Sequence, residues 1–134
     1  MTQTRKRRSP AETMRARLLK ARPAKVEEIE LPNGDVLNFR VLSFHDVGDV
    51  LARLGEVQEE GMRAERIEAV GRLVVQSICD QDGNAYLQDG DHEALFKAMD
   101  TQSYVTLAMA VQRAYGLIPI EEVVEDLSEA PGAS

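Results

Sequence analysis

Residues 67–84 read IEAVGRLVVQSICDQDGN, and the fold is decided by how this stretch joins the helical pattern that follows it. At about 100° per residue, Ile67, Val70, Val74 and Ile78 fall on one side of a helix and Glu65, Glu68, Arg72 and Gln76 on the other, as expected of a helix with one face in a core and a solvated back. The spacing predicts a long helix from about Arg63 to Cys79, with Gly71 beside the stripe, where a missing side chain lets another backbone come close. Cys79-Asp80-Gln81-Asp82-Gly83-Asn84 then forms an acidic turn. Beyond it, Tyr104, Leu107, Ala108, Val111, Tyr115 and Ile118 lie at i, i+3, i+4, i+7, i+11 and i+14, a second helical stripe. The two stripes are expected to bury each other, with everything else attached to this pair.

A chain of 134 residues is long enough for one domain with a core that needs no staples. Three Phe, three Tyr and no Trp make that core aliphatic and leave few flat platforms on which bases could stack. The single cysteine forms no internal disulfide and is compatible with a reducing compartment. No run approaches the roughly 18 apolar residues of a membrane span, and no apolar stretch follows the basic start, so the sequence predicts neither a span nor a signal peptide. The net charge of −7 is unevenly spread: residues 1–25 carry nine Lys or Arg against Glu12 alone, a net of +8, which leaves −15 on the other 109. So acidic a body repels nucleic acid, and any phosphate contact falls to the arm.

Within the arm, Ser9-Pro10-Ala11-Glu12 reads as a capping box with Pro at the first helical position, predicting a helix from about Pro10 to Arg22 that Pro23 stops. Its apolar face is only Met14, Leu18 and Leu19. We read residues 1–25 as a basic arm, mobile until docked, in which Arg5, Lys6, Arg7, Arg8, Arg15 and Arg17 are candidates for contacts to an anion or an acidic partner.

Val26 to Leu42 carries the β signal, with Ile29 and Leu31 facing Leu37, Phe39 and Val41 across Pro32-Asn33-Gly34-Asp35. A two-residue Asn33-Gly34 turn would pair Glu30 with Leu37 and set apolar residues against polar ones; a three-residue Pro32-Asn33-Gly34 loop pairs Ile29 with Leu37 and gathers the apolar residues on one face. The second register is predicted. Ser43 then caps a short helix from about Phe44 to Leu54, with Val47, Val50, Leu51 and Leu54 on one side and Gly55 at its end. Residues 56–66 read as a loop or weak helix. Past the acidic turn, Asp91 is expected to cap a helix through Met99 with Leu95, Phe96 and Met99 inward, and Thr101 to cap the last core helix, which Gly116 ends. After Pro119, Ile120, Val123, Val124 and Leu127 recur at i, i+3, i+4 and i+7 among acidic residues, a small amphipathic helix whose stripe is a candidate partner-binding surface, either folded back on the body or docked into another chain. Residues 128–134 read as disordered. The predicted fold is thus α+β, mainly α-helical, with an N-terminal β-hairpin packed on a small helical bundle over 26–118, a basic arm over 1–25, and an acidic amphipathic helix and tail over 119–134.

Little in this chain suits catalysis. Asp80, Asp82, Asn84 and Asp91 occupy positions one, three, five and twelve of a calcium loop, but the sixth position is Ala85 where Gly is needed and the twelfth is not Glu. His45 and His92 stand beside acidic residues in first turns of helices, and no His or Cys pair has zinc spacing. Cys79, ending an apolar helix, reads as a buried inert thiol. No set of acid, base and oxyanion donor presents itself, and Gly83 and Gly90 are isolated turn glycines, not a phosphate loop. The sequence therefore predicts a non-enzyme without metal or cofactor.

The order of elements carries a resemblance. A hairpin with Pro-Asn-Gly, a short Ser-capped helix, a long helix closing on Ile78-Cys79-Asp80-Gln81-Asp82-Gly83-Asn84-Ala85-Tyr86-Leu87, the acidic gap Asp89-Gly90-Asp91, a capped helix and a last helix running out at Tyr115-Gly116-Leu117 together resemble the tail assembly chaperones of long-tailed bacteriophages, of the siphophage type, over roughly Val26 to Ile118. The basic arm is not part of that pattern. The resemblance implies a non-catalytic protein of the host bacterial cytoplasm, absent from the mature virion, that coats the long apolar tape measure protein, keeps it soluble while tail tube subunits are recruited, and is then displaced, with self-association as a further expectation. Two other classes compete: a nucleic-acid-binding regulator using the arm, and a minor structural tail protein.

Overall fold

The structure, a computed structural model, describes residues 9–20 and 24–117. Arg5 to Arg8, Ile118 and the terminal stripe Ile120, Val123, Val124 and Leu127 lie outside the described residues. The class is α+β and mainly helical, with a three-stranded antiparallel sheet.

Strands β1 (Val26–Glu30) and β2 (Val36–Arg40) form the hairpin with Ile29 opposite Leu37, the register that parity selects. The Gly34 amide donates to the Leu31 carbonyl at 2.9 Å, closing a type I turn, and the Leu31 amide donates to the Asp35 carbonyl at 2.8 Å. Gly34 takes φ +93°, the left-handed bulge position at which a side chain is strained. Leu31 and Phe39 are buried, but Val41, expected beside them, is 37% exposed. Strand β2 stops at Arg40, and Leu42 packs on the core instead.

The central helix α3 (Arg63–Ser77) packs against α2 (Phe44–Glu56), α4 (His92–Ala98) and α5 (Thr101–Ala114). Its last turns are buried on nearly every side: Leu73, Val74 and Val75 have no exposed surface. The sequence reading carried this helix to Cys79. It ends two residues earlier, because Ile78 turns extended (φ −62°, ψ 134°) and Ile78–Cys79 become β3, with Ile78 opposite Phe39 and Cys79 opposite Asn38. A β-branched residue continues a buried stripe in either conformation, whereas the free edge of β2 has main-chain groups that only a strand can satisfy.

The acidic turn then repeats the hairpin loop. Gly83 donates its amide to the Asp80 carbonyl at 3.0 Å, Asp80 donates to the Asn84 carbonyl at 2.9 Å, and Gly83 has φ +84°. The Asp80 carboxylate accepts from the Asp82 and Asn84 amides, both at 2.9 Å, and the Arg40 guanidinium donates to the Gly83 carbonyl, fastening the turn to the sheet.

Several boundaries differ from expectation. Helix α2 runs through Gly55 to Glu56 and closes on Val57, which is fully buried; Gly55 keeps helical geometry and so does not stop it. Asp100, not Thr101, caps α5, its carboxylate accepting from the Ser103 amide at 3.0 Å, a bond that holds the carboxyl below its usual range. Asp91 does not cap α4; it accepts from the Gln88 amide at 2.8 Å and closes a 3₁₀ turn over Asp89–Asp91. Phe96 is 37% exposed, set edge-on against Tyr104 with ring centroids 5.3 Å apart. Gly71 admits side chains, not a backbone: a Cβ there would meet the Tyr104 hydroxyl at 3.3 Å and the His92 Cβ at 3.4 Å. The last helix does not reach Ile118; Gly116 donates to the Arg113 carbonyl and Leu117 to the Gln112 carbonyl, both at 2.9 Å, the paired bonds of a Schellman close.

Tyr115 ties the end of α5 to α3 and to the chain just past β2. Its hydroxyl lies 2.8 Å from Ser77 Oγ at the end of α3 and accepts from the Leu42 amide at 3.0 Å just past β2. Ser77 in turn donates to the Leu73 carbonyl at 2.7 Å. At the other end of α5, Ser103 Oγ accepts from the Asn33 amide in the hairpin loop at 3.1 Å. The remaining helix, α1 (Pro10–Leu19), has the expected capping box, with the Glu12 amide donating to Ser9 Oγ at 3.2 Å and the Ser9 amide to Glu12 at 3.3 Å. It buries no residue and ends at Leu19, short of the expected Arg22.

Two glycines separate backbone strain from helix propensity. Neither Gly34 nor Gly55 would bring an added Cβ within 4 Å of a neighbour. Gly34→Ala is expected to destabilise by about 1–2 kcal/mol through its left-handed φ alone, while Gly55→Ala stabilises by about 0.5–1 kcal/mol through helix propensity. Urea midpoints moving in opposite directions with unchanged slope are the expected outcome; a stabilising Gly34→Ala contradicts the loop geometry.

Candidate functional site

The residues that could have made an active site are used for structure or held apart. Cys79 sits in β3, 1% exposed, and burial pushes its thiol above the ordinary value. His45 stands exposed at the start of α2, 3.4 Å from Asp46. The Nδ1 of His92 lies 2.9 Å from the Asp89 carbonyl at the head of α4. Of the calcium-loop residues, Asp80 accepts two amides of its own turn and Asp91 the Gln88 amide, so their carboxylates face local main chain. Among the described residues no three His, Cys, Asp or Glu side chains could hold a metal ion together. No helix among them is long and apolar enough to cross a membrane.

Two hollows remain. The first is a cleft of about 470 Å³ whose apolar wall is Ala64 and Ile67 from α3 with Phe96 from α4; Glu68, His92, Glu93 and the Tyr104 hydroxyl supply its polar groups. Tyr104 is buried, which pushes its phenol up to about 12, so it stays protonated and offers a hydrogen bond only. Neither His45 nor Cys79 lines this cleft, and Glu93 is paired with Lys97 at 3.0 Å. The second is a shallow groove of about 640 Å³ between strand β1 and α5, floored by Val26, Ile29, Phe39, Ala110 and Ala114. Lys25 and Arg113 stand on its rim, with Glu27 and Glu28 on the strand side. The groove can receive an apolar helical stripe, because two alanines one turn apart leave room for close approach.

Of the arm's candidate contacts, Arg15 and Arg17 are exposed on α1, where Met14, Leu18 and Leu19 are also uncovered. The sequence reading missed the buried cation. Arg66 is 3% exposed and donates to the carbonyls of Val57 and Glu59, pinning the loop between α2 and α3. It also missed the clasp on the back of α3, where Asp89 accepts two bonds from Arg72 at 3.1 and 3.2 Å and one from Gln76 at 3.1 Å. The only trace in the sequence was the i, i+4 spacing of Arg72 and Gln76 on the polar face.

No family model matches the chain, and neither a curated protein nor a solved structure matches it.

The Arg72 hydrogen bond holds the Asp89 carboxyl below its ordinary value of 3.8. A depressed carboxyl contributes stability that is present above its unfolded value and is lost as pH falls through the folded one. Because both side chains are partly exposed, Asp89→Asn should cost only about 0.5–1 kcal/mol at neutral pH. The gap between variant and parent should close as the pH is lowered below 3.8. A gap that persists unchanged in acid would show that the clasp is not ionic.

Proposed function

We propose that the chain is a tail assembly chaperone of a long-tailed bacteriophage, a non-enzymatic binder of the tape measure protein. The observation that carries this is the apolar groove between β1 and α5, set in a body whose charge is strongly negative. A tape measure chain is a long series of amphipathic helices, and a groove floored by Ile29, Phe39, Ala110 and Ala114 offers one such stripe a shallow seat. Shallow seating favours weak, repeated and reversible binding. Acidic bodies repel one another and keep many copies along one partner dispersed. The stripe Ile120, Val123, Val124 and Leu127 is a second surface for the same partner, and tail tube subunits would be recruited to the coated complex. The host cytoplasm is where such a protein would work.

Co-expression with the tape measure protein of the same phage is the direct test. The expected result is that the tape measure moves from the pellet to the soluble fraction and co-purifies with this chain. Ala110→Glu, placed on the groove floor, should return much of it to the pellet. An unchanged tape measure solubility overturns the reading. Salt-sensitive retention on RNA that disappears when residues 1–25 are deleted would instead favour a nucleic-acid-binding regulator acting through Arg5 to Arg22.

A further inference from the structure

We propose that the cleft between α3 and α4 binds a small uncharged molecule with a flat apolar body and a carboxamide-like end, the body against Ile67 and Phe96 and the amide between Tyr104 and His92. The Tyr104 hydroxyl is the first ground. The residue is 4% exposed and belongs to the core, yet it also lines the cleft. Among the described residues its hydroxyl has no hydrogen-bond partner, whereas that of Tyr115 meets Ser77 and the Leu42 amide. Phenylalanine would fill the same core space, and a tyrosine buried this far ordinarily finds a partner for its hydroxyl. Gly71 makes the room: a Cβ there would meet the Tyr104 hydroxyl at 3.3 Å and the His92 Cβ at 3.4 Å. The central helix thus carries a residue of poor helix propensity where the cleft is deepest in polar groups.

His92 supplies the complement. Its Nδ1 lies 2.9 Å from the Asp89 carbonyl. A carbonyl only accepts, so Nδ1 carries the hydrogen and Nε2 of the neutral ring is a bare acceptor. The cleft therefore offers one hydrogen, from Tyr104, and one lone pair, from His92. A carboxamide answers both, its oxygen accepting from Tyr104 and its N–H donating to His92. A carboxylate has no hydrogen for His92 and meets Glu68 and Glu93, with no Lys or Arg among the lining residues. An amidinium has no acceptor for the Tyr104 hydrogen. The apolar side fits a ring: Phe96, 37% exposed, and Tyr104 stand at 87° to each other and form a corner that a flat group can enter. The cleft's 470 Å³ lies within the span of small-ligand pockets, about 300–1,000 Å³. It shares no residue with the groove between β1 and α5, so this site and the chaperone reading stand or fall separately.

Benzamide, benzamidine and benzoate share one shape and differ at this polar end, so the three are the probes, each titrated into the isotope-labelled full-length protein and followed by amide chemical shifts. Benzamide is expected to shift the amides of Ile67, Glu68, His92 and Phe96 saturably and to bind more tightly than the other two. Tyr104→Phe should weaken benzamide about fivefold, the value of one hydrogen bond, and leave benzamidine unchanged. The same variant should not lower the urea midpoint, whereas loss of a hydroxyl that served the fold would lower it. Glu68→Gln, an exposed substitution, should tighten benzoate and leave benzamide as it was, and it decides the matter if the Tyr104 variant fails to fold by far-ultraviolet dichroism. Shifts that are absent with all three probes, or scattered over the surface, overturn the inference, as does benzamide binding that Tyr104→Phe leaves untouched. Tighter binding of benzamidine overturns it in favour of a cation site, and tighter binding of benzoate in favour of an anion site.

Discussion

The fold depends on a single change of conformation, at Ser77–Ile78, where the most buried helix of the molecule becomes a strand. Helix α3 contacts every other helix of the body, and its last two residues of apolar pattern leave it to extend the sheet. The Ile78 amide still donates to the Val74 carbonyl, so the helix closes as the strand begins. The hydroxyl of Tyr115 fixes the junction from the side. One phenol meets Ser77 Oγ at the end of α3 and accepts from the Leu42 amide beyond β2, while Ser77 Oγ donates to the Leu73 carbonyl. Helix layer and sheet layer are thereby locked in one arrangement.

With that junction fixed, the surfaces follow. The hairpin is held at its loop by Ser103 and at its open end by the Arg40 bond to the Asp80–Asn84 turn, so β1 stands at a set distance from α5 and leaves the groove between them. The loop before α3 is pinned by Arg66, and the 3₁₀ turn after the acidic segment by Arg72 and Gln76. Carboxylates that looked available for chemistry are main-chain acceptors in turns and caps. These polar side chains position backbone.

Much of this was legible in the residues. Parity alone selected the three-residue hairpin loop, because only one register gathers Ile29, Leu31, Leu37 and Phe39 on a single face. Helical stripes located α2, α3 and α5, and the capping box located α1. What escaped was what period cannot encode. A two-residue strand has no alternation to detect, and Ile78 extends the helical stripe of α3 as well as it fills a strand position. Gly55 punctuates many helices but here sits inside one, since Val57 beyond it is drawn into the core. Arg66 resembles any surface arginine until the carbonyls of a loop are seen converging on it. The two hollows were not legible at all, since each is made by elements far apart in sequence.

The claim on which the rest stands is that α3, β3 and the sheet form one cooperative unit joined at Tyr115. Native-state hydrogen exchange tests it most directly. The amides from Leu73 to Cys79 should share the slowest exchange in the molecule, with the same dependence on denaturant as global unfolding, and Tyr115→Phe should lower the protection of helix and strand residues together. Exchange of Ile78 and Cys79 through a local opening that leaves Leu73 to Ser77 protected would contradict the account.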